Sequence, residues 1–193
     1  MTRVAVIGTA GRKTDAARLS YPIYLGMVDV VRQQLQNIPR PWDLVSGGAP
    51  YGDHCAVDLW LAGEVDSLTL WFPCAVWGSR GTVSYPNTDV GNTATYYHKN
   101  FSHVLQAVGR QSSFEDLSDA DENGAQFFHD DGFYARNLRV GVVDIVIAQT
   151  FGRGSVPADG GTAHTWRNSA APIKIHIPIG ELQKPAPAQQ NLF

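Results

Sequence analysis

The stretch Asp43-Leu-Val-Ser-Gly-Gly-Ala-Pro-Tyr-Gly-Asp-His-Cys-Ala-Val-Asp-Leu-Trp60 decides how the rest of the chain is read. Asp43 to Val45 supply a short apolar strand and Gly47 and Gly48 a tight turn. Ala56, Leu59, Trp60 and Ala62 then recur at helical spacing. Without a Cβ the two glycines let the backbone turn sharply and come close to a ligand. A strand that runs through glycines into a helix directs N–H groups outward. Together with the positive end of the helix dipole, these suit a phosphate or another anion.

Upstream, Arg3 to Ile7 is a continuous apolar strand, closed by Gly8-Thr-Ala-Gly-Arg12. Residues 20–38 read as a helix: Ser20 caps it, Pro22 suits its first turn, and Ile23, Met27, Val30, Val31 and Leu35 form its apolar stripe. Downstream, Ser67 to Pro73 is a third strand. Residues 75–95 read as a long polar loop, and a helix follows from Thr95 to Val108. Residues 110–131 are polar and acidic and predict an exposed insertion that packs little. A helix at Phe133–Val142, a fourth strand at Asp144–Ala148, a glycine-rich loop at Phe151–Gly161, a helix from Thr162 and a last strand at Ile173–Ile179 complete the pattern. Short strands alternating with helices predict an α/β, Rossmann-like three-layer fold with a mostly parallel sheet of five or more strands. One domain spans 1–180 with an insertion near 75–131, and 181–193 form a loose tail.

The chain has 193 residues, 44% hydrophobic and 17% charged, which fits one globular core. A net charge of −3 with scattered basic residues argues against a nucleic-acid groove. No apolar run is long enough to span a membrane. The start reads as a buried strand running into glycine rather than a signal peptide, and the two cysteines, Cys55 and Cys74, have no metal spacing. A reduced, cytoplasmic setting follows by default. His98, His103, His129 and His164 have no partner at metal spacing, so no metal and no cofactor are expected.

In open parallel sheets ligands bind outside the carboxyl ends of the strands, where the strand order switches. Three turns are candidates to converge there: Gly8-Thr9-Ala10-Gly11-Arg12, the segment Gly47–His54, and Asp159–Thr165. Amides of Gly8 to Gly11, Gly47 to Ala49 and Gly160 to Thr162 are the expected phosphate donors. Arg12 or Arg136, beside Asn137, is the expected counter-charge, because a guanidinium grips phosphate with two donors. Asp53 reads equally as a capping carboxylate or as a partner for a ribose hydroxyl. His54 either faces solvent or touches the ligand. Thr162 is placed to cap a helix and to donate to a phosphate, and His164 and Thr165 lie in the same turn. Trp166 reads as core. Tyr96, Tyr97 and His98 are mostly core or interface, with one aromatic available to stack on a base.

The order Val-Ile-Gly-Thr-Ala-Gly-Arg, then Ser46-Gly-Gly-Ala49 with Gly52-Asp53 and Ala56, then Asp159-Gly-Gly-Thr-Ala-His-Thr resembles the SLOG superfamily of Rossmann-like proteins. Its members include LOG-like, DprA-like and YspA-like proteins, and the YspA-like branch is the most similar. The resemblance covers most of the chain apart from residues 75–131 and the tail. It implies a pocket for a nucleotide-derived molecule, such as an ADP-ribose-type or cyclic ADP-ribose-type signal, and a homo-oligomer. The hydrolases of the superfamily carry a glutamate after their Gly-Gly-x-Gly-Thr turn. Here Asp159-Gly-Gly-Thr-Ala-His-Thr-Trp-Arg167 offers neutral or basic side chains instead. The expectation is therefore a binder that senses or sequesters its ligand without turnover, in the manner of a phage anti-defence sponge. The alternative is a nucleotide N-glycosidase or deoxyribosyltransferase-like enzyme, for which Asp53, Asp159 or Glu115 would supply the carboxylate. A DprA-like role on DNA lacks the basic stripe it would need.

Overall fold

A computed structural model describes residues 1–79, 81–157 and 160–182. The apolar run at the start forms β1 (Thr2–Gly8), followed by α1 (Tyr21–Leu35), β2 (Trp42–Ser46), α2 (Cys55–Leu61) and β3 (Ser67–Phe72). A small hairpin of β4 (Trp77–Ser79) and β5 (Thr82–Ser84) leads into α3 (Asp89–Gln106), α4 (Ser113–Glu122) and β6 (Gln126–His129). The chain then runs through α5 (Phe133–Val140), β7 (Ile145–Thr150), α6 (Gly160–Asn168) and β8 (Ile173–Pro178).

Among the described residues the main sheet has six strands in the order β6-β3-β2-β1-β7-β8, every neighbouring pair parallel. The period-2 geometry of a strand divides its buried residues between two faces. Val4, Val6, Leu44, Leu70 and Ile147 join one cluster with Met27 and Val31 of α1, Leu59 of α2, Phe101 of α3 and Leu117 of α4. Ala5, Ile7, Val45, Val146 and Ala148 face the other way and pack with Val140 of α5 and, at its margin, Trp166 of α6. The result is the expected Rossmann-like three-layer α/β fold. Its second face is built from small side chains, so α5 and α6 lie close to the sheet. The order reverses between β1 and β7, because α5 carries the chain from the β6 edge back across to the far side of β1. No helix among the described residues is long and apolar enough to cross a membrane.

The structure departs from the sequence reading in the middle of the chain. Residues 110–131 are not an insertion that packs little. Ser112 begins α4 with a capping box closed by Glu115, Leu117 and Ala120 are wholly buried, and β6 pairs with β3 along the sheet edge. The 75–95 loop contains the β4–β5 hairpin, and α3 starts at Asp89, capped by the Thr88 hydroxyl, which accepts from the Gly91 amide. At the other end, Ile179–Glu181 form a short 3-10 turn and Leu182 packs against the core. The tail proposed for 181–193 thus loses its first residues to the domain, and 183–193 lie outside the described residues.

Candidate functional site

The carboxyl ends of β1, β2, β3 and β7 open onto one cavity of about 700 Å³, lined in turn by Gly8, Gly47, Pro73 and Thr150. This is the switch point of the sheet, the place the fold leaves for a ligand. The three turns singled out in the sequence do converge there. Gly8, Thr9, Ala10, Arg12, Gly47, Ala49, Asp53, Arg136, Asn137, Gly160, Gly161, Thr162 and Thr165 all line it.

Five other candidates do not line it, each for a visible reason. Gly11 packs at a positive φ against Tyr51 and Leu19. Ser46 is buried and donates to the carbonyls of Val6 and Asp53. Gly48 adopts φ +62°, and a Cβ there would meet the Phe72 ring at 2.7 Å. His54 is wholly buried, with its Nε2 3.1 Å from Asp116 Oδ2, so it faces neither solvent nor ligand. His164 rests edge-on against Tyr134.

Hydrogen bonds within the chain also change the role of the turns. The Gly8 amide donates to Asp53 Oδ1 at 3.0 Å, the Thr9 amide to the Gln149 carbonyl at 2.9 Å, and the Gly11 amide to Thr9 Oγ1 at 3.3 Å. The backbone of Ala49 also hydrogen-bonds the Asp53 carboxylate. The protein's own carboxylate therefore takes two of the amides that the sequence reading assigned to a phosphate, those of Gly8 and Ala49. Burial raises the Asp53 carboxyl above the ordinary carboxylate value, although Arg136 and these amide donors oppose the rise. Gly47 is a glycine for a related reason: a Cβ there would sit 1.5 Å from Arg136 Nη1. The guanidinium fills the space beside that bare backbone and donates to Asp53 Oδ2 at 3.1 Å. Arg136 is 7% exposed, and its Nε has no hydrogen-bond partner among the described residues.

The first turn of α6 offers a different set of donors. The opening amides of a helix have no intrahelical acceptor, and Gly160 and Gly161 line the cavity. The Arg12 guanidinium comes within 4.0 Å of the position a Gly160 Cβ would take, and exposed Lys13 stands next to it on the cavity wall. Thr162 lies inside α6 rather than capping it; its hydroxyl donates to the Gly8 carbonyl at 2.8 Å and ties the helix to the end of β1. Asn137 donates to the Gly161 carbonyl at 3.2 Å and ties α5 to α6. Asp159 lies outside the described residues.

Sequence reasoning missed part of the wall. Tyr85 and Phe133 line the cavity, as does Phe151, whose ring carries the Arg18 guanidinium 3.7 Å from its centroid. Phe151 follows β7 directly, so its position after a buried strand was the available signal. Tyr97 and His98, read mostly as core, also reach the wall. The carboxylates on it, among the described residues, are Asp15 and Asp53. Asp15 accepts from the Thr9 hydroxyl at 2.8 Å. Glu115 closes the cap of α4 and lies off the cavity.

His54, Asp58 and Asp116 bring ligand-type atoms close together, within 4.8 Å of one another. Arg110 already binds both carboxylates of that group: it donates to both Asp58 oxygens at 2.8 and 2.9 Å and to Asp116 Oδ2 at 3.4 Å.

Over 91% of its length the chain is 30% identical to "Uncharacterized protein R261" of Acanthamoeba polyphaga mimivirus, and the match covers 94% of that relative. The chain belongs to the same family. No family model matches the chain and no solved structure matches it.

Proposed function

We propose that this protein binds a nucleotide-derived small molecule in the switch-point cavity and senses or sequesters it without turnover. The observation that carries this reading is the division of the cavity wall. Arg12, Lys13 and the first turn of α6 form a cationic, amide-rich end, while Tyr85, Tyr97, Phe133 and Phe151 supply an aromatic side. A ligand with an anionic group and a flat ring matches both. The volume of about 700 Å³ suits a guest of nucleotide size. An ADP-ribose-type molecule, the ligand class implied by the SLOG resemblance, has these two parts.

The absence of turnover rests on the carboxylates. Asp53 is held by Arg136, by the Gly8 amide and by the backbone of Ala49, which leaves it poorly placed to attack a sugar carbon. The test is incubation of the pure protein with AMP, ADP, ADP-ribose and cyclic ADP-ribose, followed by denaturation and analysis of what is released. One of these returned intact in stoichiometric amount is the expected outcome. Release of free base would overturn the reading and turn attention to Asp53 as a catalytic group. No bound probe at all, with no thermal shift, would remove the nucleotide altogether.

A further inference from the structure

A chain of buried hydroxyl and imidazole groups leads from the helical layer to the cavity wall. The Ser102 and Ser113 hydroxyl oxygens lie 3.0 Å apart, and the Ser113 amide donates to Ser102 Oγ at 3.1 Å. Ser113 Oγ is 3.0 Å from His98 Nδ1, and His98 Nε2 is 3.1 Å from the Tyr85 hydroxyl. His98 and both serines are buried, whereas Tyr85 is half-buried and lines the cavity.

The direction of this chain depends on where the single imidazole proton sits. Burial, reinforced by the nearby His54, pushes His98 down to about 3, so it is neutral and carries one N–H. The Gly48 backbone works against that fall, as a carbonyl near an imidazole N–H does. Gly48 and Tyr85 both neighbour the Phe72 ring. The Ser113 hydroxyl has two acceptors within reach, His98 Nδ1 at 3.0 Å and the His98 carbonyl at 3.3 Å. With the proton on Nε2, Nδ1 accepts from the Ser113 hydroxyl, and Ser113 Oγ accepts from Ser102. The Tyr85 oxygen then meets an N–H and acts as acceptor toward His98, which leaves its own O–H to turn outward. Burial raises the Tyr85 phenol, so it keeps that proton.

We infer that His98 carries its proton on Nε2 and that Tyr85 is therefore the specificity-determining donor of the cavity, its hydroxyl turned by His98 toward an acceptor atom on the uncharged, ring-bearing end of the ligand. The inference rests on the proposed function and adds an orientation to it. The anionic end lies at Arg12 and Lys13. The inner end meets Tyr85 beside the Arg136–Asp53 pair, whose charges offset each other and whose groups act electrostatically on Tyr85. A neutral acceptor, such as a ring nitrogen, a carbonyl or a sugar oxygen, suits that end better than a phosphate does. Ser102, Ser113 and His98 are positioning residues, acting through Tyr85.

Two measurements test this. In the ligand-free protein, nitrogen-15 NMR of the His98 ring is expected to show the Nε2–H tautomer; an Nδ1–H tautomer overturns the inference, whatever binds. Calorimetry then compares wild type with Tyr85→Phe, using ADP-ribose and inorganic pyrophosphate as probes. The variant is expected to bind ADP-ribose roughly three- to tenfold more weakly, the loss of one hydrogen bond, and pyrophosphate as wild type does. Equal affinity for ADP-ribose overturns the role of Tyr85 and leaves the nucleotide reading standing. Equal weakening toward both probes overturns the orientation. Failure of the wild type to bind either probe overturns the nucleotide reading, and this inference falls with it.

Discussion

Asp53 and Asp58 stand on neighbouring turns of one segment, and each meets a buried or half-buried arginine, yet the two pairs are built differently. Arg110 makes a two-pronged contact with Asp58 and a longer one with Asp116, which also receives His54 and Gln111. Arg136 makes one contact at 3.1 Å with Asp53 and keeps an unpartnered Nε. The shifts follow the same division. Arg110 is held well above its ordinary value, first by its hydrogen bonds to Asp58. Burial works against the Asp116 charge, but His54, Gln111 and Arg110 together keep its carboxyl below the ordinary value. Burial raises Asp53 despite Arg136. A pair whose hydrogen bonds are filled serves the fold, joining α2 to α4. A pair left short of partners on a cavity wall has a donor unused, and the cost of burying it is met less fully.

Stability measurements can break this contrast. Arg110→Ala removes the two-pronged contact with Asp58 and the longer one with Asp116, and a loss of about 3 kcal/mol is expected from the shift of the urea midpoint. Arg136→Ala strands one carboxylate that takes up a proton more readily, so the loss should be closer to about 1 to 2 kcal/mol. Equal losses would erase the distinction. The order should reverse in ligand binding: calorimetry with ADP-ribose should show Arg136→Ala weakened by roughly tenfold, and the folded Arg110→Ala unchanged.

A finer comparison comes from pH. A carboxyl lowered in the folded state contributes stability above its unfolded value, and that contribution is lost as pH falls toward the folded one. This is Asp116. A carboxyl raised in the folded state opposes folding at neutral pH, and acidification relieves it just above the ordinary carboxylate value. This is Asp53. Melting temperature against pH should therefore lose its mild-acid gain in Asp53→Asn and soften its steep acid fall in Asp116→Asn. The smallest effect expected is Ser112→Ala, which removes the capping box of α4 and should cost about 1 kcal/mol in the same unfolding assay.

The readable part of the sequence was the part governed by apolar periodicity. β1, β3 and β7 are near-continuous apolar runs because both faces of the sheet are covered, and the glycine turns after β1, β2 and β7 marked the cavity. The hidden part was governed by polar burial. The inner face of α4 carries Ser113 and Asp116 beside Leu117 and Ala120. A pattern search reads it as solvated because its partners, Ser102, His54 and Arg110, come from elsewhere in the chain. Ser112-x-x-Glu115 was the local sign of a helix start. β6, Gln126-Phe-Phe-His129, is an edge strand with mostly exposed side chains and leaves little pattern to find. The glycines at 47 and 48 have a second reason the sequence does not show: they make room for the Arg136 guanidinium and the Phe72 ring, while Gly47 still lines the cavity.

Gly8 and Gly52 meet main chain to main chain: a Cβ on Gly8 would come within 2.7 Å of the Gly52 Cα, and one on Gly52 within 2.3 Å of the Gly8 Cα. The Gly52 amide also donates to the Thr9 carbonyl at 3.2 Å. With no side chain between them to cushion a displacement, the segments after β1 and β2 form a single mechanical joint. A guest that pulls on Arg12 would drag the Asp53 cradle along with it, so occupancy at one end of the cavity would be felt at the other.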